Sequence, residues 1–197
     1  SIQSNYMCTE PIFFMTWGRK YGDQQNCQFY PPICTYTGMQ QRLRESYLDM
    51  TFFHNASCAP VGISWKESIS QDSILNLFST DNSHPSIYGS YLAACTFYAT
   101  IFKNSPIGST YIPNGIDTST AIFLQNIASN TVLDSLSIWN IFNADFTNIT
   151  IGDSVVFNNN SSNYENMLWY FGDGDSSTLF NPNHTYLDTG IYNVTLL

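Results

Sequence analysis

Asp81 and His84, three residues apart, carry the clearest proton-transfer chemistry in this sequence. A histidine can take the proton of a nucleophilic hydroxyl while a carboxylate fixes its tautomer and stabilises the imidazolium. An offset of three on one loop lets Asp81 reach the His84 ring and leaves the far ring nitrogen facing a third group. The plain alternative is an aspartate capping its own turn beside a solvated imidazole. The spacing alone is common, so its setting decides. The pair lies in the turn-rich stretch Asp81-Asn82-Ser83-His84-Pro85-Ser86, after apolar segments and before a long apolar one. In open parallel sheets, functional groups gather beyond the carboxyl ends of the strands. Trp17, Arg19 and Trp65 fall at the ends of two predicted strands, on the same presumed edge, and are the candidate substrate-binding residues. Arg19 suits either a substrate oxygen or an ion pair with Asp23.

Those side chains need a scaffold, and the apolar patterning outlines one. Residues 11–17 (Pro-Ile-Phe-Phe-Met-Thr-Trp) read as a short buried strand ending at Gly18. Met39, Leu43, Tyr47 and Met50 recur at helical spacing. Residues 59–65 read as a second buried strand, and Ile69, Leu75 and Phe78 mark a further short helix. A helix over 88–102 follows, with Leu92, Cys95, Tyr98 and Phe102 on one face and Pro85 and Ser86 at its start. Residues 120–127 and 132–139 also look helical. Alternating strands and helices imply an α/β domain with a parallel sheet. Two strands are too few for one, so more of the sheet is expected upstream.

From about residue 143 the pattern changes to short apolar or alternating runs, such as Val155-Val156-Phe157 and Leu168-Trp169-Tyr170-Phe171. Asn, Gly, Asp and Ser turns separate them at β-sandwich intervals. The expected domains are therefore 1–142 and 143–197. Charge divides the same way. All six basic residues lie in 1–103, whereas 104–197 holds eight acids and neither Lys nor Arg.

The whole chain of 197 residues has a net charge of −9, which argues against nucleic acid and anionic lipid as partners. No apolar stretch approaches the ~20 residues of a membrane span. The chain opens on Ser without a basic-then-apolar leader, and reads as a mature chain or a piece of a longer one. Its Lys-poor, Asn/Ser/Thr-rich surface is common in secreted proteins. Cys27 and Cys34 flank a loop-like stretch and could close a small disulfide ring; Cys95, in an apolar run, suits a core thiol. With no C-x-x-C pair and only three histidines, zinc is not expected. Asp173 and Asp175 offer only a weak calcium motif, and no metal or cofactor is assigned.

The run from Asp81 through Gly89-Ser90-Tyr91-Leu92-Ala93-Ala94 resembles the last motif block of the SGNH (GDSL-type) hydrolases. Met15-Thr16-Trp17-Gly18-Arg19, Gly38-Met39-Gln40-Gln41-Arg42 and Ala59-Pro60-Val61-Gly62 extend the likeness to a bacterial branch of that superfamily, over roughly residues 9–140. The resemblance implies a flavodoxin-like three-layer α/β fold and hydrolysis of acyl or acetyl esters, often on carbohydrates. It makes His84 the general base and Asp81 its orienting acid. The family's nucleophilic Ser and oxyanion-hole Gly and Asn would all precede residue 11. Gly152-Asp153-Ser154 mimics the nucleophile block but follows the Asp–His pair, in a β region, so its order and setting are wrong.

A second resemblance rests on Trp169-Tyr170-Phe171-Gly172-Asp173-Gly174, Asn181-Pro182-Asn183-His184-Thr185-Tyr186 and Tyr192-Asn193-Val194-Thr195-Leu196. These are similar to the polycystic kidney disease (PKD) domain. That implies an Ig-like sandwich used as a spacer or glycan-contacting module, truncated before its last strand, with Trp169 in the core and His184 structural. Together the two likenesses imply an extracellular or cell-surface ester hydrolase acting on an ester substrate, polysaccharide esters included, with this chain alone inactive. The rival is a non-catalytic surface or adhesion protein whose hydrolase domain has lost its chemistry.

Overall fold

The computed structural model describes residues 10–142, 144–161 and 166–197. The chain divides into two compact units, Ser1–Ile141 and Phe142–Leu197.

The first unit mixes helices and strands. Strand β1 (Ile12–Phe14) pairs in parallel with β2 (Ser57–Ala59), Phe13 opposite Cys58. Around them stand α1 (Tyr36–Phe53), α2 (Val61–Gln71), α3 (Ile87–Phe102) and α4 (Thr118–Leu133). Three of these helices begin with a side chain that satisfies a free backbone N–H: Thr35 accepts from Gly38, Ser86 from Gly89 and Asp117 from Thr120. Lys103 ends α3 in the left-handed conformation.

The second expected strand is a correction. Only Ser57–Ala59 is extended, and Val61, Gly62, Ser64, Trp65 and Ser68 form the buried face of α2. Pro60 has no N–H to offer a ladder, and its fixed φ of −84° suits the N-cap of a helix. A short apolar run with β-branched residues fits both periodicities, and here packing chose the helix. Ile69 belongs to α2, so no separate helix spans it and Phe78. Residues 134–140 form turns instead of a helix. Trp139 folds its indole back to donate to the Thr131 carbonyl at 2.7 Å.

Val61, Trp65, Leu92, Leu124 and Ala128 centre the larger core of this unit; Met15, Cys58, Val132 and Trp139 centre the smaller. Gly62 sits so close to the Thr16 carbonyl that a methyl group there would lie 2.1 Å from the oxygen. Strand β2 is buried at all three positions, whereas β1 leaves Ile12 and Phe14 each 38% exposed. Cys27 and Cys34 are joined by a disulfide, with Cα atoms 4.7 Å apart. Cys58 and Cys95 are buried free thiols, and Cys8 lies outside the described residues.

The second unit is all β. One sheet has the order β3 (Phe146–Ile151), β4 (Ser154–Asn159), β7 (Asn183–Thr185); the other β6 (Ser176–Ser177), β5 (Trp169–Tyr170), β8 (Thr195–Leu196). All pairings are antiparallel. The β3–β4 hairpin turns at Gly152-Asp153, where Gly152 supplies the positive φ (+61°) that a two-residue turn demands. Phe157, Trp169, Phe171 and Leu196 are buried in its core, with Phe146, Tyr186 and Val194 packed against them. Among the described residues, no helix is long and apolar enough to cross a membrane.

Candidate active site

Residues 79–84 form a tight loop ahead of α3, closed at its base by a bridge between Phe78 and Pro85. The Ser79 N–H donates to the His84 carbonyl (2.8 Å), and the Asn82 N–H to that of Ser79 (3.1 Å). Asn82 turns the chain with a φ of +60°, a conformation asparagine tolerates better than most residues. The loop wraps around one carboxylate. Asp81 Oδ1 accepts from the Ser79 hydroxyl (2.7 Å) and from the Ser83 and His84 N–H groups (2.9 Å each). Asp81 Oδ2 lies 2.5 Å from His84 Nδ1.

Asp81 thus holds both the backbone and the ring of His84. The hydrogen bond from the His84 side chain, then those from Ser79, Ser83 and the His84 N–H, push the Asp81 carboxyl far below the usual carboxylate range. An ionised Asp81 can only accept, so the proton between the two groups lies on His84 Nδ1, and in the neutral ring Nε2 is then the acceptor. The His84 side chain is 80% exposed. Among the described residues, no group hydrogen-bonds to Nε2.

A depressed folded-state pKa fixes the sign of the acid response. The loop stabilisation is fully present above the ordinary aspartate value of 3.8 and disappears as pH falls through the lower folded value. A carbon-13 NMR titration of the Asp81 carboxyl should therefore show a midpoint well below 3.8. A midpoint at or above 3.8 would mean that the network is not formed in solution.

Two further contacts anchor the loop to the segment after β1. The Trp17 indole N–H donates to the Ser83 carbonyl at 2.9 Å, and the Lys20 N–H to the Asn82 carbonyl at 2.9 Å. Lys20 Nζ also reaches Asn76 Oδ1 at 3.1 Å. Trp17 stacks on Trp65 with ring centroids 4.0 Å apart and planes 5° from parallel. Trp65 meets Phe78 edge-on at 5.0 Å.

The expected substrate contacts are revised accordingly. Trp65 is fully buried and stacked on Trp17, so its ring is not open to solvent. Trp17 gives its indole N–H to the Ser83 carbonyl, so that donor is already used within the protein. Arg19 takes the ion-pair alternative, with Nη1 3.1 Å from Asp23 Oδ1. Ser79 and Asn82 complete the loop, Lys20 ties it to the segment after β1, and none of the three was a candidate site residue in the sequence. The signal available for Asn82 was an Asp-Asn-Ser run, a common turn composition.

In the second unit, Ser154 Oγ lies 2.7 Å from Thr185 Oγ1, an ordinary contact between paired strands. Asp173, Asp175 and His184 bring one ligand atom each within 4.8 Å of the others. Asp173 and His184 are already partnered to each other. His184 Nε2 lies 2.6 Å from Asp173 Oδ2, and Asp173 Oδ1 accepts from the Asp175 N–H at 3.1 Å. His184 also stacks on Phe171 at 4.1 Å and meets Tyr186 edge-on at 4.6 Å. The group acts as a lock between strand β7 and the turn after β5.

Residues 141–197 match the PKD domain family. No curated protein matches the chain. A solved structure of a DUF4886 family protein from Bacteroides uniformis is similar, with a TM-score of 0.56 at 20% identity over 64% of this chain and 48% of that one. At that identity the likeness concerns the fold alone. The chain spans about half the length of that protein, and its match extends well beyond what the PKD unit could supply.

Proposed function

We propose that Asp81 and His84 are the acid–base half of a serine ester hydrolase of the SGNH type, carried in an extracellular or cell-surface protein with a PKD unit as spacer. One observation carries this reading: the Asp81 carboxylate holds His84 through Nδ1 at 2.5 Å, the His84 side chain is 80% exposed, and among the described residues Nε2 has no hydrogen-bond partner. In this mechanism Nε2 takes the proton of a serine hydroxyl as the oxygen attacks the ester carbonyl. The resulting imidazolium, stabilised by Asp81, then returns the proton to the leaving alcohol. The serine and the oxyanion donors come from chain N-terminal to β1. The exposure of Ile12 and Phe14 on β1 supports this, because parallel strands are normally covered on both faces. Extracellular placement follows the PKD match, as does the spacer role.

A fluorophosphonate probe tests the reading, since it marks a serine activated by a neighbouring base. The full-length gene product should be labelled and should turn over p-nitrophenyl acetate. His84→Ala should lose both while melting at the same temperature. Undiminished labelling of a folded His84→Ala protein would remove His84 from the mechanism. No labelling of the parent would favour the non-catalytic surface protein.

A further inference from the structure

The loop between β1 and α1 holds exposed aromatic rings in a braced frame. Residues 24–32 carry no charged side chain, in a protein of net charge −9. The frame is tied at several points. The Asp23 N–H donates to the Ile33 carbonyl at 2.8 Å, and the Cys27 N–H to the Asp23 carbonyl at 2.9 Å. The Asp23 carboxylate accepts from the Gln25 and Asn26 N–H groups and from the Asn26 amide. The Arg19 ion pair and the Cys27–Cys34 disulfide close the base and the ring.

On this frame Phe29 is 79% exposed, Tyr30 48% and Tyr21 61%. Large rings held in water forfeit the stabilisation that burial would give, and exposed apolar surface on a braced loop points to binding. Lys20, next to Tyr21, hydrogen-bonds to Asn82 in the Asp81–His84 loop, so the aromatic loop adjoins the candidate active site.

The chemistry of the loop narrows its occupant. Phosphate, nucleic acid and acidic peptides require free cations; residues 24–32 have none, and the adjoining Arg19 and Lys20 are engaged, Arg19 with Asp23 and Lys20 with Asn76 and the Tyr21 ring. The Gln25 and Gln28 amides are exposed, and among the described residues their side chains have no hydrogen-bond partner. Each offers a donor and an acceptor side by side, the pairing that vicinal hydroxyls need. The apolar C–H face of a sugar ring covers an aromatic ring while its hydroxyls stay within reach of such amides.

We infer that Tyr21, Phe29 and Tyr30, with Gln25 and Gln28, form a subsite for a neutral sugar unit of a polysaccharide. Resting on the hydrolase reading, the loop selects polymeric esters by holding a sugar beside the acyl group to be cleaved. Saccharide binding itself does not need that reading.

The experiment separates the two. Affinity electrophoresis of the 197-residue chain in gels containing acetylated xylan, mannan or mixed-linkage glucan should show retardation by at least one polymer. The double variant Phe29→Ala/Tyr30→Ala should run unretarded with an unchanged melting temperature, and His84→Ala should be retarded like the parent. In the full-length gene product, the double variant should raise KM for the retarding polymer, carried as its acetyl ester, by tenfold or more. It should leave p-nitrophenyl acetate turnover unchanged. Free migration of the parent chain in all three gels would overturn the subsite. So would equal retardation of the double variant, or a concentration-dependent dimer that the double variant abolishes, which would assign the rings to self-association. Retardation in a protein without esterase activity would leave the subsite standing and remove the hydrolase reading.

Discussion

On the proposed hydrolase reading, Asp81→Asn should lower kcat for p-nitrophenyl acetate in the full-length gene product by roughly 10³–10⁴-fold with little change in KM. The asparagine keeps the shape of the side chain, and its carbonyl oxygen can still accept from the Ser83 and His84 N–H groups. The atom facing His84 Nδ1 then becomes an amide nitrogen. That nitrogen only donates, so Nδ1 must accept and the ring proton moves to Nε2. A protonated Nε2 cannot take a proton from the nucleophile. The imidazolium formed during reaction also loses its counter-charge. Substrate binding does not depend on either change, which is why the loss should fall on kcat. A kcat within threefold of the parent, in a protein whose loop amides remain protected from exchange, would reduce Asp81 to a turn cap.

The second large effect concerns the PKD unit. Trp169→Ala should abolish its cooperative folding while leaving the first unit intact. Trp169 is fully buried, packs against Phe146 and Phe157, and donates its indole N–H to the Leu179 carbonyl at 2.9 Å. Removing a buried tryptophan costs about 3–5 kcal/mol, before the stranded carbonyl is counted. A unit spanning only Phe142–Leu197 has roughly 3–8 kcal/mol of stability in total. Scanning calorimetry should show one transition lost and the other unmoved. Two unchanged transitions would show that the ring contributes far less than its burial implies.

The Asp81–His84 pair was legible in the sequence because its geometry is local: both side chains belong to one turn, and a short chain segment can only fold so many ways. Arg19 with Asp23 was legible as one of two alternatives for the same reason. Trp65 was not. Its role depends on whether residues 61–65 continue a strand or begin a helix, and that was settled by Pro60 together with packing against α1, α3 and α4. No local pattern records such contacts. Likewise the Trp17–Ser83 and Lys20–Asn82 hydrogen bonds join segments distant in sequence, where composition is silent. The second unit was clearer. Its turn chemistry and aromatic spacing are dense enough that the segment beginning Trp169-Tyr170-Phe171-Gly172-Asp173-Gly174 identified it, in agreement with the family match over 141–197.

The stacked pair Trp17–Trp65 also gives the protein a built-in optical gauge. Of its four tryptophans, these two lie ring on ring, so excitation absorbed by one passes to the other before light is emitted. Trp17 is at the same time hydrogen-bonded to the loop that carries His84. Anything that pulls that loop away would let the Trp17 ring tilt from its neighbour and meet water, changing the colour and brightness of the emission. Loop opening, ligand arrival and acid release of Asp81 could then be followed in real time by stopped-flow fluorescence, with no dye attached and no residue replaced.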